Sequence, residues 1–145
     1  MLAKDDAVRT VTYKKPPQQG QASSVRKVRG YVAYNDGLSA EETVKTFCIQ
    51  QGWIILGQRA KTPRGEIDIV MRKGAMICFV EVKKRKAQRD AAECLLPAQQ
   101  RRLFRAAECL LSYHPEWHYE ELRFDLITVD EKNEVVWIKD IIRQM

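Results

Sequence analysis

The chain has two histidines and four cysteines in 145 residues, and what they fail to form excludes several functions. The cysteines stand at 48, 78, 94 and 109 with no C-x-x-C pair, and the histidines are His114 and His118. That pattern excludes a standard zinc site and argues against a disulfide framework. A domain of this length buries roughly 68–70% of its unfolded surface, so it does not need staples. Reduced thiols in a cytoplasmic protein are the expectation. Long apolar runs are missing as well. The stretch Met76–Val80 falls far short of the roughly 20 residues that cross a bilayer. The opening MLAKDDAVRT has two acids and no apolar segment, so a secretory signal is not expected. Nothing in the chain resembles an RNP, zinc-finger or helix-turn-helix reader, so sequence-specific recognition is not expected.

Positive charge is present, and it is unevenly placed. The net charge is +6, and residues 1–29 carry seven Lys/Arg against two acids. The same segment contains KKPPQQGQASS, which is poor in apolar residues. It reads as a disordered basic arm preceding a single domain over residues 30–145.

Within that domain, Ser39 followed by Glu42 fits a capping box. Val44, Phe47 and Cys48 then keep helical spacing up to Gly52, which predicts a helix over about 40–51. Trp53–Leu56 is expected as a short buried strand, and residues 57–65, GQRAKTPRG, as a polar loop. Glu66–Met71 and Met76–Lys83 read as two strands joined by a turn over Arg72–Ala75. Residues 84–96 are a polar connection, and Pro97 opens a second helix that ends at His114-Pro115. Leu122–Val129 and Val135–Lys139 are the last two strands. The order is αβββαββ, an α/β fold with a mixed five-stranded sheet flanked by helices.

The chemistry concentrates in Gly65-Glu66-Ile67-Asp68 and Phe79-Val80-Glu81-Val82-Lys83. Successive strand residues face opposite sides. A hairpin turning at Lys73-Gly74 sets Asp68 across from Phe79 and Glu66 across from Glu81. Asp68, Glu66, Glu81 and Lys83 then share a face, and a register slip of two preserves that parity. Facing carboxylates cost a sheet stability. Lys83, a bound cation or both must offset that cost. Carboxylates are ligands of Mg²⁺, which leaves its other positions to water and phosphate. The bland alternative is a half-solvated Asp/Glu/Lys surface.

These motifs resemble the PD-(D/E)xK nuclease superfamily, and within it the YraN family of small bacterial endonuclease-like proteins. The resemblance covers roughly residues 30–130. It rests on Gly37 and Glu41 around the first helix, Gly52-Trp53-Ile54-Ile55-Leu56, the two motifs above, Gln100-Arg101-Arg102-Leu103 and Arg123-Phe124-Asp125. It implies a restriction-endonuclease-like fold in which Asp68 and Glu81 hold Mg²⁺, or Mn²⁺ as a substitute, and Lys83 assists the attacking water. The similarity to Holliday-junction resolvases adds Glu41 as a helix-borne site acid and suggests a homodimer. Ala40 stands where the family often has glycine, and Gln99 where lysine is more usual.

Residues 83–105 hold eight Lys/Arg against two acids, a basic rim suited to phosphates. Arg59, Lys61 and Arg64, in the predicted loop, and Lys84 and Arg85 are the candidate nucleic-acid contacts. Arg101, Arg102 and Arg105 read as a solvated helix face. Arg123 and Asp125 read as a structural ion pair, and the tryptophans as core, with Trp117 a candidate for exposed stacking.

The expected function is Mg²⁺-dependent hydrolysis of nucleic acid, with structured or branched DNA preferred to RNA and no membrane partner. The alternatives are a noncatalytic nucleic-acid-binding module of the same fold, or an interaction domain whose basic arm recruits an acidic partner.

Overall fold

The computed structural model describes residues 26–31, 39–85 and 96–142. Its elements are β1 (Arg26–Tyr31), α1 (Ala40–Gln50), β2 (Ile54–Thr62), β3 (Gly65–Lys73), β4 (Met76–Lys84), α2 (Pro97–Tyr113), β5 (Glu121–Val129) and β6 (Glu134–Lys139). The six strands form one sheet in the order β1-β6-β5-β4-β3-β2. The expected mixed sheet of five strands, with its αβββαββ order, is present as β2–β6 with the two helices. Only β4 and β5 run parallel. A parallel pair needs a long crossover, and α2 lies within it.

β1 lengthens the sheet by pairing antiparallel with β6, from Arg26↔Lys139 to Tyr31↔Glu134. Residues 26–29, assigned from sequence to the arm, therefore belong to the sheet; alternating Arg/Lys with Val and Gly resembled the basic segment before it. The remainder of the arm, 1–25, lies outside the described residues.

The two helices cover opposite faces. Val44, Phe47 and Cys48 of α1 pack with Ile69, Met71, Cys78, Val80, Ile127 and Trp137. Leu103, Ala106, Ala107 and Leu110 of α2 pack with Ile67, Val70, Phe79, Phe124 and Leu126. β4 and β5, in the middle, are buried on both faces, which is why MICFV and FDLITV read as nearly unbroken apolar runs. Trp53 and Trp137 are core residues, as expected. Trp117 is half-buried and stacks on His114 with ring centroids 4.0 Å apart, so it is not an exposed platform. Cys48, Cys78 and Cys109 are free thiols, and burial pushes Cys48 and Cys78 well above the usual thiol range.

Two local expectations change. The stretch 57–65 is mostly strand. β2 pairs with β3 through Thr62↔Gly65, with a bulge between Ile55 and Gly57. As an edge strand it need not bury both sides; Ile54 is 62% exposed, and polar residues along it guard the edge. The β3–β4 turn is also tighter. Lys73 pairs with Met76 and Gly74 takes φ +62, the left-handed geometry of a two-residue hairpin. The register thus slips by two from the expected one, which keeps the expected parity for the residues paired up to Ile69↔Val80.

Helix starts are fixed by different groups. Ser39 Oγ accepts the Glu42 N–H at 3.2 Å, the expected cap. The Glu42 carboxylate is turned elsewhere, accepting from Gln58 Nε2 at 2.7 Å beside Lys45. At α2, Gln99 Oε1 accepts the Leu96 N–H at 3.1 Å. The Gln99 side chain thus caps the helix start.

Asp125 lies at the centre of a buried polar network. Arg123 Nε and Nη2 donate to its two oxygens at 3.0 and 2.9 Å. Trp137 Nε1 donates at 2.8 Å and the Asp140 N–H at 2.9 Å. This is the structural ion pair expected from sequence, formed between the two residues themselves. A buried charge stripped of its partner is strongly destabilising. Asp125→Ala is expected to cost about 3–5 kcal/mol, a fall in melting temperature on the order of 10 °C. Calorimetric melts check this. A variant melting with the wild type would show that the network contributes nothing.

Candidate active site

β3 and β4 stay paired from their turn to Ile69↔Val80. Beyond that point Asp68 Oδ2 accepts the Val82 N–H at 2.8 Å, so a side chain replaces a backbone carbonyl in the ladder. The facing pattern breaks at the same place. Ile67 lies under α2 while Ile69 lies under α1. In a regular strand residues two apart share a face. Across the sheet, Gln58↔Ile69 and Ala60↔Ile67 bracket Arg59, which has φ +51. A positive φ at a non-glycine residue is sparsely populated and clusters at functional sites.

Three carboxylates meet at this opening. Burial pushes the Asp68 carboxyl up to about 7, the Val82 N–H opposes the shift, and the charges of Glu81 and Glu41 add to it. Glu41 is delivered by the first turn of α1, where an acid also suits the helix dipole. Arg59 Nε lies 2.6 Å from Glu41 Oε1. On β4, Lys83 Nζ lies 3.3 Å from Glu81 Oε2, and both side chains are largely buried, at 25% and 21% exposure.

Asp68 therefore lies within the influence of Glu81 and Glu41, and Lys83 joins through its pairing with Glu81. Glu66 is not part of the cluster: it is exposed, across from Lys61. Of the candidate nucleic-acid contacts, Arg59 is engaged with Glu41. Lys84 and Arg85 continue β4 directly from Lys83, with Lys84 exposed. Lys61 lies on strand β2 and Arg64 in the β2–β3 turn, rather than in a free loop. The Arg59–Glu41 contact was not foreseen, because residue 59 read as loop and spacing carries no signal for a partner on α1.

Among the described residues, no group of three or more His, Cys, Asp or Glu side chains is placed to hold a metal ion. Mg²⁺ does not need one, since it binds through one or two carboxylates and keeps water and substrate oxygens. Asp68 and Glu81 suit that sparse role. In the structure Lys83 beside Glu81 and Arg59 beside Glu41 supply the neighbouring positive charge.

The profile of the uncharacterised protein family UPF0102 matches residues 40–129. The chain is 42% identical over 116 residues to a UPF0102 protein of Granulibacter bethesdensis, covering 80% of this chain and 73% of that one. It is 41% identical over 113 residues to a UPF0102 protein of Bradyrhizobium diazoefficiens, covering 78% and 85%. A third UPF0102 protein, from Bradyrhizobium sp. strain BTAi1, is 47% identical over 97 residues, covering 67% and 71%.

A pH dependence follows from Asp68. Its carboxyl is raised from the ordinary 3.8 to about 7 in the folded protein. Between those values the folded state holds a proton that the unfolded chain has released, so stability falls as pH rises. Relative to Asp68→Asn, the wild type is expected to lose melting temperature from pH 4 to 7 and then level off. Saturating Mg²⁺ should remove the decline. Parallel curves for the two proteins would contradict the raised carboxyl.

From residues 40 to 129 the match embraces the whole acidic cluster and its lysine, and the chain belongs to the UPF0102 family, the YraN family whose motifs it resembles.

Proposed function

We propose that this chain is a divalent-metal-dependent endonuclease that hydrolyses phosphodiester bonds of nucleic acid in the cytoplasm, with structured or branched DNA as its preferred substrate. The observation that carries the reading is the largely buried Asp68 carboxyl where β3 and β4 part, held by the Val82 N–H and acted on by the charges of Glu81 and Glu41, with Lys83 paired to Glu81. A carboxylate cluster held at the cost of mutual repulsion is a functional-site signature.

Asp68 and Glu81 are the residues that would hold Mg²⁺ or Mn²⁺. When bound, such an ion stabilises charge on a phosphate and activates water. Asp68 is oriented by Val82, whose N–H fixes one carboxylate oxygen and leaves the other to face the site. Lys83 moves between partners: at rest it neutralises Glu81, and beside substrate its ammonium orients the attacking water or stabilises the phosphate's developing charge. Glu41 adds a further acid from α1, and Arg59 keeps its charge compensated. Lys84 and Arg85 extend positive charge along the strand from Lys83 toward the flanking phosphates. A homodimer would present two such sites to a branched substrate.

The free, buried thiols suit a reducing compartment. Among the described residues, no helix is long and apolar enough to cross a membrane.

The test is a cleavage assay on branched, single-stranded and duplex DNA and RNA with Mg²⁺ or Mn²⁺. Cleavage of branched DNA is expected to be fastest. Lys83→Met should lower the rate on the order of 10²–10³-fold while retaining Mg²⁺ binding by calorimetry. Binding without cleavage of any substrate would favour the noncatalytic module.

A further inference from the structure

The exposed side of α2 carries Arg101, Arg102 and Arg105, opposite the buried Leu103, Ala106, Ala107 and Leu110. Like charges three and four residues apart destabilise a helix, so this ridge is not explained by helix stability. Among the described residues, no acid pairs with any of the three guanidinium groups.

The ridge is fixed relative to the candidate active site. Gly65 opens β3 with φ +144, and a Cβ there would stand 3.1 Å from Arg102 Cγ. The stem of Arg102 thus lies against the start of β3. The β2–β3 turn beside it presents Arg64, and Lys61 stands one residue before the end of β2, across from Glu66. Gly65 and Asp68 are three residues apart on the same strand, a distance of about 10 Å at the rise of a strand. Successive phosphates of one DNA strand advance about 3.4 Å along the helix axis. The stem of Arg102 meets β3 three residues before Asp68.

We infer that Arg101, Arg102 and Arg105, with Arg64 and Lys61, form a docking surface for the phosphate backbone of a nucleic-acid duplex, flanking the bond presented to Asp68 and Glu81. This rests on the phosphodiesterase reading of that cluster. The surface recognises phosphates without reading bases. The occupant is polyanionic and regular, since a row of separate guanidinium groups matches successive phosphates better than a single charge.

The experiment measures binding of short fluorescein-labelled DNA and RNA duplexes to the full chain in EDTA, across a range of salt concentrations. The variants are R101Q/R102Q/R105Q and R101K/R102K/R105K, each checked for folding by thermal melts. The Gln variant should bind more weakly at low salt, with the slope of log affinity against log salt reduced by roughly two to three. The Lys variant should keep the wild-type slope. The DNA duplex is the expected occupant, and binding of the RNA duplex in its place would overturn that assignment. Hydrolysis of bis(p-nitrophenyl) phosphate, which is too small to reach the ridge, should be unchanged in both variants. That last arm separates the two readings: loss of duplex binding with no hydrolysis by the wild type would overturn the enzyme and leave the surface standing. A Gln variant with wild-type affinity and slope would overturn the surface. So would equal loss in the Gln and Lys variants, or a wild type that binds neither duplex.

Discussion

The site depends on one substitution in a hydrogen-bond ladder: Asp68 Oδ2 accepts the Val82 N–H where the partner strand's backbone would otherwise do so. The ladder of β3 and β4 is continuous up to Ile69↔Val80 and gives way there. The change turns Asp68 toward β4, reverses the facing of Ile67 relative to Ile69, and coincides with the positive φ of Arg59 on the neighbouring strand. It also sets Glu81 and Lys83 beyond the last residues paired between β3 and β4, while α1 brings Glu41 within the influence of Asp68. The surrounding core makes the arrangement tenable. Val70 and Phe79 on one face, and Ile69 and Val80 on the other, are fully buried just before the strands part.

Asp68 and Asp125 show how environment separates a functional acid from a structural one. Asp125 receives donors from Arg123, Trp137 and the Asp140 backbone, so its charge is fully answered. Asp68 has one backbone donor and faces two other acids, and its proton is held accordingly. Both are partly or wholly withdrawn from water. Only the second environment leaves a demand for positive charge that an ion or a substrate-bound lysine can meet.

The sequence carried the site's parity better than its details. Alternation along FVEVK set Glu81 and Lys83 together, and a turn displaced by two residues left that pairing intact, whereas the alternation of GEIDIV breaks at Asp68 and leaves Glu66 outside. Periodicity also located both helices and the central strands, because burial on one helix face or on both sheet faces writes a strong apolar pattern. It failed at the edges. β2 and β1 lie at the two margins of the sheet, where polar and basic side chains are tolerated, so one resembled a loop and the other the arm. Contacts between distant elements left no local trace either. Glu42's side chain could serve a cap or reach Gln58, and Gln99 could be a weakened site residue or a cap. Spacing could not distinguish these, whereas the packed helices do.

Asp68 is a largely desolvated carboxyl whose titration is raised by burial and by the charges of Glu81 and Glu41. The most direct measurement follows the Asp68 carboxyl carbon by NMR as pH is varied, with and without Mg²⁺. The account predicts titration near pH 7 in the metal-free protein and a marked downward shift at saturating Mg²⁺. Titration in the ordinary carboxylate range, unaffected by Mg²⁺, would contradict it.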